Sequence, residues 1–70
     1  MIPISMMSQG DEMTIQKITG DDAVRQHLAE LGFVVGAQVR VVSRQNENMI
    51  LSVFESRVAL DRSMTSRVMV

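Results

Sequence analysis

Hydrophobic residues alternate with polar ones along five separate stretches of the chain, and this pattern predicts five short β-strands. In the first, from Glu12 to Ile18, Met13 and Ile15 alternate with polar neighbours. The other four are predicted at residues 38–44, 49–54, 57–60 and 67–70. The links between the last strands are short and polar, which favours a small barrel over a sandwich. The pattern therefore predicts a mainly β, five-stranded barrel.

The segment between the first two predicted strands has helical periodicity instead. Val24, Leu28 and Leu31 are spaced at i, i+4 and i+7, so they line one face of an α-helix predicted over about residues 21–31. We expect this face to lie on the curved sheet. Asp21 is a candidate cap for the first amides of the helix, and Thr19 is the alternative.

Two glycines enclose the corner that follows the helix. Gly32 suits the end of the helix, because glycine adopts the left-handed backbone conformation at little cost. Phe33 and Val34 come next, and Gly36 opens the turn into the second strand. The corner therefore carries an apolar pair, which is more apolar surface than a turn needs for itself.

Two shorter segments are predicted to add to the core at the ends of the chain. Near the start, Ile4 and Met7 can reach the core from an extended lead-in. Residues 61–66 have room for one helical turn with Met64 pointing inward. The chain has no repeat and no linker, so we expect a single domain over residues 1–70.

Composition and charge exclude several classes of protein. There are no cysteines, so disulfides and thiolate zinc sites are excluded. The start of the chain does not resemble a signal peptide, and no apolar run approaches the ~18 residues of a membrane span, so we expect no direct membrane insertion. The net charge is −1 and Phe33 and Phe54 are the only aromatic residues, which argues against nucleic-acid binding.

The residue types offer little for catalysis or metal binding. His27, three residues before Glu30, is the only histidine, and these two are the candidate metal ligands. Metal sites usually need three or four converging ligands, and a surface histidine explains the same pattern. The serines lie in no nucleophile motif, and the glycines follow a helix instead of opening one as a phosphate loop does. We expect no catalytic residues and no cofactor.

Arg57, at the entry to the fourth predicted strand, has two interpretations. It can hydrogen-bond backbone carbonyls and hold a turn, or it can offer a bidentate grip to a carboxylate of a partner. The sequence leaves both open.

The pattern of the helix, the corner and the strands resembles the FeoA family over nearly the whole chain, from about Ile4 to Val70. The residues that carry the resemblance are Arg25, Leu28, Leu31, Gly32, Phe33, Val34, Gly36, Val39, Val41, Leu51, Val53, Arg57, Val58, Leu60, Met64, Val68 and Val70. The chain departs from the family pattern at Val35, where the family often has proline, and at Glu55, where it often has glycine. Both departures fall in turns.

The resemblance implies an SH3-like barrel with an inserted helix, in a small cytoplasmic protein. It also implies an accessory role in ferrous iron uptake through protein contact with the cytoplasmic domain of a membrane FeoB-type iron transporter. The same barrel occurs as the C-terminal domain of iron-dependent repressors, so a metal-responsive regulatory domain that binds a transition metal ion is the alternative. A nucleic-acid-binding barrel comes third.

We predict a non-enzymatic interaction domain whose contact surface lies at the helix corner. Its apolar part consists of Leu31, Phe33 and Val34 where these are not buried, and its polar edge consists of Arg25, His27 and Glu30. Phe33 or Val34 is expected to fold back on Leu28 and Leu31. Full burial of Phe33 with all its neighbours in the core would contradict the hypothesis.

Overall fold

Two antiparallel β-sheets, two α-helices and one 3-10 turn make up the structure, a computed structural model that describes residues 1–70. In chain order the elements are the 3-10 turn Ile4–Met6, β1 Glu12–Thr14, β2 Lys17–Ile18, α1 Asp22–Glu30, β3 Gln38–Gln45, β4 Asn48–Val53, β5 Ser56–Leu60, α2 Arg62–Thr65 and β6 Val68–Met69. The predicted mainly β class is confirmed, with one inserted helix and a short helical turn where the pattern placed them.

The strand count differs from the prediction, because the first predicted strand is two strands. The four-stranded sheet has the order β1-β3-β4-β5, and β2 pairs with β6 in a sheet of two. Between β1 and β2 the chain changes partner: the N–H of Ile15 donates to Ala37 O at 2.9 Å, and the N–H of Gln16 donates to Met69 O at 2.7 Å. This crossing gives six strands in two sheets, which hydrogen bonds do not join into one closed ring.

Both sheets and α1 enclose one hydrophobic core. Its buried members are Ile4, Ile15, Leu28, Phe33, Ala37, Val39, Val41, Met49, Leu51, Val53, Leu60 and Val68. The half-buried side chains of Val24 and Leu31 pack against this cluster, as the periodicity predicted, and so does Met64 from the predicted helical turn. Ile4 reaches the core from the 3-10 turn, and Met7 packs against it from the following residue.

The end of α1 is a Schellman motif, and this motif decides where Phe33 goes. The N–H of Gly32 donates to Ala29 O at 3.0 Å and the N–H of Phe33 donates to Leu28 O at 2.9 Å, with Gly32 at φ +104°. Such a motif brings its last residue into contact with the residue five positions earlier, which here pairs Phe33 with Leu28. Both side chains are fully buried.

Aspartate side chains begin both helices. Asp21 Oδ1 accepts a hydrogen bond from the N–H of Val24 at 2.9 Å and caps α1. Asp61 caps α2, where it accepts from the hydroxyl of Ser63 at 2.7 Å and from the N–H of Met64 at 3.1 Å. These two hydrogen bonds lower the pKa of the Asp61 carboxyl, and the bond from Ser63 has the larger effect.

Candidate protein-contact surface

The helix corner is only partly the surface that the sequence predicted. Phe33 is 0% exposed, so it cannot contact a partner, and its place in the predicted surface was wrong. The Schellman contact with Leu28 accounts for its burial. Leu31 is half-buried, and Val34 is 38% exposed. Val35, which the prediction did not include, is 66% exposed.

Phe54 adds an exposed aromatic ring beside this corner. The pattern assigned it to the end of a strand, but β4 ends at Val53 and Phe54 lies at the tip of the β4–β5 hairpin, 67% exposed. A Cβ added to Gly32 would lie 3.3 Å from Cδ2 of Phe54, so the ring rests against Gly32. We call Val34, Val35 and Phe54 the corner surface.

The turn that presents Phe54 has an unfavourable backbone. Phe54 has φ +48° and Glu55 has φ +66°, and the two residues join paired Val53 and Ser56. Tight hairpins with positive φ at both positions favour Asn-Gly, and a left-handed conformation costs an L-residue about 1–2 kcal/mol. An exposed phenylalanine on a strained turn contributes little to stability, which makes it a candidate for function.

We expect Glu55→Gly to stabilise the protein by about 1 kcal/mol, because glycine removes the strain at φ +66° and loses part of that gain in chain entropy. Urea unfolding followed by circular dichroism measures the change. Ser56→Gly, one residue later and within β5, is the matched control and is expected to destabilise. Equal effects of the two substitutions would show that Glu55 is not strained.

The polar residues predicted at the edge of this surface all lie exposed on α1. Arg25 forms an ion pair with Asp22 at 2.7 Å, and Glu30 accepts a hydrogen bond from Gln26 at 3.4 Å. The side chain of His27 makes no hydrogen bond within the protein. Such exposed pairs contribute at most about 1 kcal/mol, so these side chains are free to exchange their partners.

His27 and Glu30 have not gained further ligands through folding. No group of three or more histidine, cysteine, aspartate or glutamate side chains converges in the structure. His27 and Glu30 therefore remain two donors on one helix, as the sequence had them.

Arg57 does not hold a turn, and another arginine does. The guanidinium of Arg44 donates to Ser5 O at 2.9 Å and also to Met7 O, so Arg44 ties β3 to the 3-10 turn. Arg57 is exposed and its side chain makes no such hydrogen bond, which leaves open the second interpretation, a grip on a partner carboxylate.

None of the helices is long and apolar enough to cross a membrane.

The fold defines a small SH3-like β-domain with an inserted helix. The model of the FeoA domain matches residues 2–70, so the chain belongs to the FeoA family. An iron uptake regulatory protein (FeoA) of known crystal structure is 31% identical, with a TM-score of 0.90 over 96% of this chain and 91% of the other.

Two further relatives extend the comparison. A candidate Fe(2+) transport protein A of Methanocaldococcus jannaschii is 29% identical over 100% of this chain and 85% of its own. Stenotrophomonas maltophilia FeoA, described as a prokaryotic SH3 domain protein and solved with zinc, is 30% identical, with a TM-score of 0.79 over 97% of this chain and 87% of its own. A manganese-dependent transcriptional repressor shares the fold at 17% identity, with a TM-score of 0.87 over 94% of this chain and 38% of its own.

Proposed function

We propose that residues 1–70 act as a single, non-enzymatic interaction domain in the cytoplasm, as an accessory of ferrous iron uptake. The partner is the cytoplasmic domain of a FeoB-type iron transporter, which the domain contacts through the corner surface. Membership of the FeoA family supports the role in iron transport. The names of the 31% and 29% identical relatives support the same role.

The exposure of Phe54 is the observation that carries this proposal. Aromatic anchors surrounded by apolar contacts dominate the binding energy of many interfaces. Phe54 lies at the hairpin tip against Gly32, and the exposed Val34 and Val35 follow Gly32 in the chain. Arg25, His27 and Glu30 supply a polar rim from α1, as in interfaces whose centre is apolar and whose edge is hydrated.

A metal-responsive regulatory domain remains the alternative, and the zinc complex of the Stenotrophomonas relative is the observation that favours it. His27 and Glu30 would be the first ligands, with the remainder from a partner or water. This alternative predicts a saturable change in the His27 resonances when zinc or ferrous ion is added.

Phe54→Ser is expected to weaken binding to the transporter's cytoplasmic domain by about tenfold or more, because an interface anchor contributes upwards of 1.4 kcal/mol. Isothermal titration calorimetry measures the affinity. Met6→Ser is the matched control, since Met6 is also 67% exposed but lies in the 3-10 turn instead of the corner.

Both variants should unfold within a few degrees of the wild type, because neither side chain is in the core. If Phe54→Ser binds as tightly as the wild type, the corner surface is not part of the contact. A wild-type protein that does not bind any part of the transporter's cytoplasmic domain would contradict the proposed partner.

A further inference from the structure

The outer edge of β5 is an unpaired sheet edge. β5 is the last strand of the four-stranded sheet, and no strand pairs with its other side. The small sheet of β2 and β6 lies elsewhere in the fold and takes up none of its hydrogen bonds. An open edge of this kind is a template on which a further extended chain can pair.

The hydrogen-bonding register identifies the backbone groups that face this edge. A two-residue turn joins Val53 and Ser56, so these two form a hydrogen-bonded pair, and bonded pairs then alternate along an antiparallel ladder. Ser52–Arg57 and Ile50–Ala59 are thus the non-bonded pairs. The N–H and C=O groups of Arg57 and Ala59 consequently point away from β4, and both residues are exposed.

The side chains beside this edge form a row with an unbalanced charge. Cross-strand pairing places Glu12, Arg40, Ser52 and Arg57 next to one another across the four strands. Arg40 has Glu12 as a neighbour on β1, whereas Arg57 ends the row. The ion pairs of the structure are Arg25–Asp22 and Arg62–Glu47, so Arg57 is paired with no carboxylate.

We propose that the open edge of β5 binds an extended, acidic segment of a protein partner as an additional antiparallel strand. The segment would exchange backbone hydrogen bonds with Arg57 and Ala59, and an aspartate or glutamate would lie opposite Arg57. Opposite charges in directly paired positions stabilise a sheet, and arginine binds a carboxylate through two parallel N–H bonds. The added carboxylate would balance the charge of Arg57 at the open end of the row, as Glu12 stands beside Arg40 at the other end.

Charge favours such a segment over a second copy of this chain. β5 consists of Ser56, Arg57, Val58, Ala59 and Leu60, and none of these is acidic. A pair of β5 strands related by two-fold symmetry would place arginine opposite Arg57 in the register centred on Arg57, and alanine in the register centred on Val58. The register centred on Ala59 would place Asp61 there, but that carboxylate already accepts the capping hydrogen bonds of α2. A partner segment with an acidic residue satisfies both the backbone and the side chain.

The edge is continuous with the corner surface. β5 begins two residues after Phe54, so a segment that pairs along β5 ends beside the exposed ring. The same partner can then contact the edge and the corner. This inference concerns how the partner binds, and it rests on the proposed function to that extent.

NMR titration with two synthetic peptides tests the edge without the transporter. The capped peptides are Thr-Val-Thr-Glu-Thr-Val-Thr and its counterpart with lysine in place of glutamate. We expect the acidic peptide to shift the amide resonances of Arg57 and Ala59 saturably at millimolar concentration, and to bind about tenfold more tightly than the basic one. Tenfold corresponds to about 1.4 kcal/mol, to which the attraction of the acidic peptide and the repulsion of the basic one both contribute.

Two pairs of variants separate the contribution of backbone hydrogen bonding at Ala59 from that of the charge of Arg57. Ala59→Pro removes the outward N–H without breaking a bond to β4, and Ala59→Thr keeps that N–H. We expect only the proline variant to lose peptide binding, by about tenfold. Arg57→Glu should reverse the preference and favour the lysine peptide, whereas Arg67→Glu, on the segment before β6, should leave it unchanged.

Several results would overturn the inference. It fails if neither peptide shifts the amides of Arg57 and Ala59, if both peptides bind equally, or if Ala59→Pro binds as Ala59→Thr does. The transporter domain can also be used as the ligand. If the wild type and the Ala59→Pro variant bind it equally well, the proposed function stands and the β5 edge is not the binding site. If the wild type does not bind that domain but still binds the acidic peptide, the transporter is not the partner and the β5 edge remains a binding site.

Discussion

Phe33→Ala is expected to unfold most of the protein instead of weakening a partner contact. The ring is fully buried against Leu28 at the end of α1, and truncation of a buried phenylalanine costs about 3–5 kcal/mol. A core of this size supplies about the same net stability, ~3–5 kcal/mol. Circular dichroism at 222 nm with urea titration measures the loss.

Val34→Ala is the neighbouring control. Val34 is 38% exposed and outside the core, so we expect its truncation to cost less than about 1 kcal/mol. A Phe33→Ala variant that stays folded with near wild-type stability would contradict the Schellman contact. Because the expected variant is unfolded, lost binding after Phe33→Ala carries no information about the contact surface, and Phe54→Ser is the variant to use.

The sequence patterns predicted those elements whose position depends on local residues. Alternation in β3 and β4 places Val39 and Val41, and likewise Leu51 and Val53, on one face of their strands, and all four are buried because a one-residue slip would expose them. The i, i+4, i+7 spacing likewise fixed the face of α1, with Leu28 at its buried centre. In each case, burial of one face leaves a single arrangement.

Phe33 could also have been placed from the sequence. An aromatic residue directly after a terminal glycine, five positions after Leu28, has the spacing of a Schellman contact. The pattern left open whether Phe33 or Val34 folds back on Leu28 and Leu31, and the motif buries Phe33, the first member of the pair. Only Val34, the second member, remained exposed.

Other features depend on contacts that the sequence does not show. The break between β1 and β2 arises where Ile15 bonds Ala37 and Gln16 bonds Met69, and no local signal marks that exchange. Phe54 belongs by its propensity to a strand, but Val53 and Ser56 pair closely enough to force it and Glu55 into the turn. The exposed position of Phe54 was therefore not predictable from the sequence, because strand pairing overrode the local preference.

Gly32 lies between buried Val53 and the exposed Phe54 ring of the corner surface. Gly32→Ala is expected to destabilise the protein by about 2–4 kcal/mol. The backbone at φ +104° disfavours any L-residue, and the new Cβ would lie 3.3 Å from Val53 Cγ1 and from Phe54 Cδ2. Because Val53 is buried, the exposed Phe54 ring has to move. Urea unfolding measures the loss, and the ring resonances of Phe54 report the displacement.

Gly36→Ala separates backbone strain from crowding. Gly36 has a similar φ of +93°, but an added Cβ meets nothing within 4 Å, so we expect a loss of only about 1–2 kcal/mol. Phe54→Ser in the Gly32→Ala background should recover part of the additional loss, since the two substitutions share one contact. Equal losses at the two glycines, or no recovery in the double variant, would mean that the Phe54 ring does not rest on Gly32. The position of the ring at the corner, on which the proposed contact depends, would then be wrong.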